Sequence, residues 1–331
     1  MNNKLENKRI IMIHGLASKP KKEIVHELWK KCVIENIKTD NPSLGKELSD
    51  NDFIFKSAYW ADTVPHHIPD DYSYTKKLQV QVDNVIKERK RIKDKFHVGL
   101  GEEVGGFFKN RGLDLVKVLA GALTVKDDVM KAFLRETELY ANDQYIADQM
   151  RESLENELRD AWDNDREVVL ISHSMGTFIA YDVLWRFAHR QVDGYRQYKN
   201  KKVKIFVTMG SPLGDQTIRD LLFSKHHKKK GVRQYPTNID YWHNYSCMGD
   251  VVSHYDTFKE DLFKPMQDLN IFPDKKKFRT IDYNGLHNPF TVVSHSGNKG
   301  KEKRNPHKSY GYLVQPRLGT WLTDFLNENL H

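Results

Sequence analysis

The chain has 331 residues, of which 39% are hydrophobic, 11% aromatic and 30% charged, with a net charge of +8. This composition describes a globular protein with a generous core and excludes a disordered or membrane-embedded chain. The length favours one large α/β domain carrying an insertion over two independent domains.

Polar residues Met1–Lys8 run directly into the apolar stretch Arg9–Ile13, so no export signal is expected. The two cysteines, Cys32 and Cys247, lie in apolar segments and read as buried free thiols of a reducing, cytoplasmic protein. Positive charge gathers in the runs Lys87–Lys95, Lys225–Lys230, Lys275–Arg279 and Lys299–Arg304. Such runs usually form solvated helix faces or loop tips, and an anionic membrane surface is the functional alternative. Aromatic residues are not interleaved with them for base stacking, so nucleic acid is not an expected partner.

In chain order, strands are expected at Arg9–Ile13, Phe53–Ser57, Glu167–Ser172, Val203–Met209, Ile239–Tyr245 and Phe278–Tyr283. Helical periodicity falls at Lys21–Asn36, Asp143–Asp163, Gly176–Ala188 and Arg317–Asn329. Strands alternating with helices predict an α/β protein whose mostly parallel central sheet is flanked by helices. Several strands are continuous apolar runs, as a sheet covered on both faces requires. Residues 63–140 break the alternation, with helical patterns at Tyr74–Lys95 and Val98–Val125. They are expected to form a helical cap or lid on a core made of residues 1–62 and 141–331. Val98, Leu100, Val104, Phe107, Phe108, Leu113, Leu115, Val116, Val118 and Leu119 would give that cap an apolar surface for packing on the core or touching lipid.

The strongest chemical signal is Val168-Val169-Leu170-Ile171 running into Ser172-His173-Ser174-Met175-Gly176 and then at once into a helix. A strained turn between strand and helix lifts a serine hydroxyl above the sheet edge, and small residues on either side are needed to make it. Gly176 meets that need downstream; upstream, Ser172 stands where glycine is usual.

This segment resembles the nucleophile elbow of α/β-hydrolase superfamily esterases and lipases, which makes Ser174 the implied nucleophile. Tyr59-Trp60-Ala61-Asp62, with the helix 143–163 leading to the elbow strand, is similar to bacterial lipase-like hydrolases. In lipase-like members a strand running into His-Gly, here Ile13-His14-Gly15-Leu16, carries part of the oxyanion hole. The resemblance therefore implies the amides of Leu16 and Met175 as oxyanion donors, with His14 structural.

A serine needs a base and an orienting carboxylate, and the superfamily order puts the acid after a late strand and the histidine after the last one. Asp250, following Trp242–Gly249, is the implied acid; Asp215, beyond Met209-Gly210-Ser211-Pro212, is the competitor, with a helix N-terminal charge as its alternative role. His307, in Asn305-Pro306-His307-Lys308-Ser309-Tyr310, resembles the histidine motif of related hydrolases, with His295 next and His287 a turn position. The implied activity is cleavage of a small-molecule or lipid carboxylic ester through an acyl-enzyme, with no metal or organic cofactor. An acyltransferase on the same residues, or a non-catalytic hydrolase-fold protein binding an anionic membrane or partner, remains open.

Overall fold

The computed structural model describes residues 4–16, 20–64, 72–92, 128–215, 218–220, 223, 229–250, 252–253, 258–272, 279–294 and 301–330. Strands β1 (Lys8–Ile13), β2 (Phe55–Ala58), β3 (Glu167–His173), β4 (Val203–Met209), β5 (Ile239–Cys247) and β6 (Thr280–Leu286) form one sheet in the order β2-β1-β3-β4-β5-β6. Every neighbouring pair in it is parallel. Around it lie helices α1 (Lys22–Asp40), α2 (Pro42–Asp50), α3 (Tyr72–Glu88), α4 (Asp128–Asn142), α5 (Gln144–Asp163), α6 (Met175–His189), α7 (Ser309–Leu313) and α8 (Pro316–Leu326). The layering is that of an α/β-hydrolase fold.

The apolar runs of the strands are explained by burial on two sides. Alternate residues of a strand face opposite ways, so Ile10, Met12, Val169 and Ile171 pack with Trp29 and Val33 of α1 and with Leu318 and Leu322 of α8. Ile11, Ile13, Val168 and Leu170 pack on the other face with Met150 and Leu154 of α5 and Phe178 and Val183 of α6. A polar residue in the middle of β1 or β3 would be stranded in either layer.

Most elements fall within a few residues of their expected places, and the differences have local causes. Strand β2 starts at Phe55 because Asp52–Ile54 is a tight 3-10 turn. Helix α2 was not expected, yet its start is written in Asn41-Pro42: Asn41 Oδ1 accepts the Leu44 N–H at 3.1 Å, and proline stands at the first turn. A two-stranded antiparallel ribbon, β7 (Thr291–Ser294) with β8 (Lys301–Arg304), was also not expected; it joins β6 to the segment carrying His307.

Of the stretch 63–140, the described ends pack into the two helical layers. Leu78, Val82 and Val85 of α3 join the layer of α1, while Phe133 and Tyr140 of α4 join that of α5 and α6. The apolar residues Val98 to Leu119 lie outside the described residues. Arg89, from the first basic run, is buried and turned inward, its guanidinium bonded to Asn36 and paired with Asp40 on α1. The Lys225–Lys228, Lys275–Lys277 and Lys299 positions lie outside the described residues.

Near the carboxyl edge the sheet turns polar. Ser172, Thr208, Asn244 and Asp282 stand in register across β3 to β6. Ser172 Oγ donates to Val207 O (2.7 Å), Thr208 Oγ1 to Asn244 Oδ1 (2.8 Å), and Asn244 Nδ2 to Asp282 Oδ1 (2.9 Å). Hence Ser172 is accommodated as a strand residue whose hydroxyl is satisfied. At the end of the row, burial pushes the Asp282 carboxyl up to about 6 against the opposing hydrogen bonds from Asn244 and Asn284.

A carboxyl whose folded-state pKa is raised stabilises the fold fully below its unfolded value, near 4, and loses that contribution as pH rises through about 6. Asp282→Asn cannot ionise, so its stability relative to the parent should improve between pH 5 and pH 8. Because the Asp282 side chain is part-exposed and screened, the gain should be on the order of 1–2 kcal/mol. Urea denaturation of both proteins at the two pH values measures it; an equal difference at both would show that Asp282 does not titrate in that window.

Candidate active site

All the candidate groups come from the carboxyl edge of the parallel sheet, where ligand sites of open α/β sheets form. Strand β3 ends in a sharp bend: Ser174 has φ 52° and ψ −125°, and α6 begins at the next residue. A positive φ at a non-glycine residue costs on the order of 1–3 kcal/mol, so the surroundings must impose it. Three contacts do so. Ser174 N donates to Met209 O on β4 (2.9 Å), while Thr177 N (2.9 Å) and Thr177 Oγ1 (2.6 Å) both donate to Ser174 O.

The glycines beside the bend are steric requirements. A methyl group at Gly176 would stand 2.4 Å from His14 O and 2.9 Å from Ile13 O, so only glycine lets α6 start against the end of β1. At Gly15 it would stand 2.9 Å from Ser174 Cβ and 2.8 Å from His173 Nδ1. The chain leading to Leu16 is thereby held against the serine.

His307 bridges the serine and the acid. Its Nε2 lies 2.8 Å from Ser174 Oγ, and its Nδ1 lies 2.9 Å from each carboxylate oxygen of Asp250. With Nδ1–H donating to the carboxylate, Nε2 is left to accept the serine proton. Asp250 also accepts Val252 N (2.9 Å) and Ser253 N (3.4 Å) on Oδ1, and Tyr312 OH (2.5 Å) on Oδ2. Burial raises its pKa, but His307 and the hydrogen bonds from His307, Tyr312 and Val252 outweigh that and hold it below the ordinary value. Asp250 therefore remains a carboxylate although it is 3% exposed.

Of the alternatives, Asp215 Oδ1 accepts Ile218 N (3.2 Å) at the start of a helical turn, the role of a helix N-terminal charge. His287 is exposed on the loop after β6, and its carbonyl accepts Gln315 Nε2 (2.9 Å). His295 lies outside the described residues. His14 is buried between aromatics: its ring stacks on Trp60 (4.9 Å between centroids) and leans on Tyr59 (4.8 Å). Because Trp60 N donates to His14 Nε2 (3.2 Å), the proton sits on Nδ1 and goes to Gly15 O (3.0 Å). This places Tyr59-Trp60 as the support of the His14-Gly15 turn.

The backbone amide of Ser174 is committed to Met209, whereas that of Met175 opens α6 and has no carbonyl four residues back within the helix. Ser174 is 0% exposed and the His307 side chain 12% exposed, so the hydroxyl and the imidazole are both withdrawn from bulk solvent. Among the described residues, His26, Glu27 and Asp52 are the one group close enough to share a metal ion. Lys30 Nζ already bonds Glu27 Oε1 (2.8 Å) and Asp52 Oδ1 (2.6 Å), which puts an ammonium where that ion would sit.

Three residues of the site were not expected from the sequence. His173 Nε2 lies 2.7 Å from His307 O and ties the serine's neighbour to the histidine's backbone. Tyr312 holds Asp250. Gly210, with φ 55°, ends β4 where a methyl group would stand 2.9 Å from Asp250 Oδ2 and 3.1 Å from His307 Nδ1. A carboxylate with this many fixed partners cannot retreat cheaply. Gly194 has φ 85° with nothing within 4 Å, so Gly194→Ala carries the backbone strain alone. Gly210→Ala should therefore lose at least about 1 kcal/mol more than Gly194→Ala in chemical denaturation; equal losses would show that the site yields freely at Gly210.

Residues 135–268 match the family model of lecithin:cholesterol acyltransferase, a family of the α/β-hydrolase class. The matched span runs from within α4 through β3, α6, β4 and β5 and includes Ser174 and Asp250. It ends before His307, which the fold delivers from farther along the chain. No curated protein and no solved structure matches the chain.

Proposed function

We propose that the protein is a serine hydrolase of lipid carboxylic esters, with Ser174 as nucleophile, His307 as base and Asp250 as the orienting carboxylate. The observation that carries this reading is the single imidazole hydrogen-bonded at one nitrogen to a strained serine and at the other to a buried carboxylate. Similarity over residues 135–268 to a family named for acyl transfer from lecithin to cholesterol supports a lipid ester.

In the first step His307 Nε2 takes the Ser174 proton as Oγ bonds to the ester carbon. The carbonyl π pair moves onto oxygen, where the amides of Leu16 and Met175 receive it. Asp250 stabilises the imidazolium and fixes its tautomer. Collapse of the intermediate breaks the ester C–O bond, the alcohol leaves with the proton from His307, and the acyl group stays on Ser174. Water, activated by the same imidazole, then releases the acid and restores the serine.

A second reading, transfer of the acyl group to another alcohol, is favoured by one observation beyond the family similarity. Ser174 is fully buried, which limits access of bulk water to an acyl-enzyme formed there. With an acyl ester and a graded concentration of a long-chain alcohol, transfer predicts a new ester growing at the expense of free acid, and hydrolysis predicts free acid alone.

A fluorophosphonate probe should modify Ser174, mapped by peptide mass spectrometry, and Ser174→Ala should lose both labelling and ester turnover, the latter by roughly 10³-fold or more. Turnover at the parental rate in Ser174→Ala, or labelling elsewhere, would remove Ser174 from the chemistry.

A further inference from the structure

We propose that Tyr312 is a positioning residue for the ester chemistry, setting the place and the charge of the Asp250 carboxylate through its phenol hydrogen bond; this rests on the function proposed above. Asp250 is carried by the turn that follows β5, a segment with a glycine at φ 80° (Gly249) and only a few bonds of its own. Asp250 N bonds Cys247 O (3.1 Å), and Met248 N bonds Leu286 O (2.9 Å). A carboxylate on such a turn needs external donors to stay aimed at an imidazole.

The donors are unevenly shared. Oδ1 receives Val252 N and Ser253 N from its own loop, while Oδ2 receives, besides His307, only the Tyr312 hydroxyl among the described residues. The phenol is oriented for this task. Its oxygen accepts Cys247 N (3.1 Å), which occupies a lone pair and leaves the O–H directed at Asp250 Oδ2. One side chain therefore fixes both ends of the turn, Cys247 at its start and Asp250 at its finish.

Tyr312 lies on α7, five residues after His307, and is fully buried. The segment leading to it is clamped as well: Asn288 Nδ2 donates to Pro306 O (2.8 Å) and Lys308 O (2.9 Å), and His173 Nε2 meets His307 O. The base and the donor that steadies the acid thus move as one piece. Burial, with the charge of Asp250 beside it, pushes the Tyr312 hydroxyl well above its ordinary value, so it remains a neutral donor over the working pH range. Among the described residues, the titratable groups facing the Asp250–His307 pair are Tyr312, Cys247 and His173; burial likewise keeps the Cys247 thiol protonated.

A hydrogen bond to Oδ2 withdraws charge from the carboxylate. Without it, Asp250 is freer to move and holds an imidazolium more firmly. Tyr312→Phe should lower kcat for an acyl ester by about tenfold with KM little changed. The acid limb of its kcat/KM profile should move to higher pH. Tyr310→Phe removes a buried hydroxyl from the same short helix without touching Asp250 and should leave rate and limb in place. Should Tyr312→Phe fold poorly, 3-fluorotyrosine at position 312 keeps the atoms and strengthens the donor, and its acid limb should move to lower pH.

A purely structural Tyr312 would lower the melting temperature without moving the limb, and that result overturns the inference. So does an equal displacement in Tyr310→Phe. Loss of turnover in Ser174→Ala alongside an unaltered Tyr312→Phe would refute Tyr312 alone; full turnover in Ser174→Ala would refute the ester chemistry and the inference together.

Discussion

The left-handed backbone at Ser174 is the constraint on which the rest of the structure depends. An L-residue leaves that conformation unless neighbours forbid the alternatives, and here the neighbours come from two flanking strands. Strand β4 binds the Ser174 amide through Met209 O, the end of β1 presses on Gly176 through His14 O, and Gly15 lies against Ser174 Cβ. Remove any of these and the chain could relax into an ordinary strand-to-helix turn with the hydroxyl turned toward its own helix. The all-parallel sheet makes the arrangement possible, because it brings the ends of β1, β3, β4 and β5 to one edge at fixed spacing.

The same edge keeps a charge inside the protein. A carboxylate as buried as Asp250 would neutralise itself unless its hydrogen bonds outweighed the lost hydration. Those bonds come from the carboxylate's own loop, from His307 and from Tyr312, the last two separated from it by 57 and 62 residues. Together they produce an ionised group whose position is set by tertiary structure rather than by the turn that carries it.

That division explains what was legible in the sequence. Strands β1, β3 and β4 could be read because burial on both faces leaves continuous apolar runs, and α5 because its buried face repeats at helical spacing; the structure adds that Asp143 caps it with a bond from Ile146 N (3.0 Å). Ser174 and Asp250 sit in local strand-and-turn patterns, so their candidacy could be seen from a few neighbouring residues. His307 needed the resemblance, since three histidines, His287, His295 and His307, lie between β6 and the final helix. Tyr312, His173 and Gly210 carry no local mark: their roles lie in contacts with residues 62, 134 and 40 or more positions away. The β7–β8 ribbon was missed for a related reason, because Lys301–Arg304 has no apolar alternation to announce a strand.

Burial of Ser174 links the architecture to the chemistry that the site can perform. In a site closed to solvent each hydrogen bond around His307 is electrostatically stronger, and the donors require no reorganisation as charge develops. Under the function proposed above, the same closure would bear on the fate of an acyl group on Ser174, since the acceptor that arrives is the one the surroundings admit. An acceptor with a long apolar body gains by leaving water for such a site, whereas a water molecule gains nothing comparable. Under the proposed ester chemistry, the distribution between acid and new ester is therefore governed less by Ser174, His307 and Asp250, which would serve both outcomes equally, than by the access that their surroundings allow.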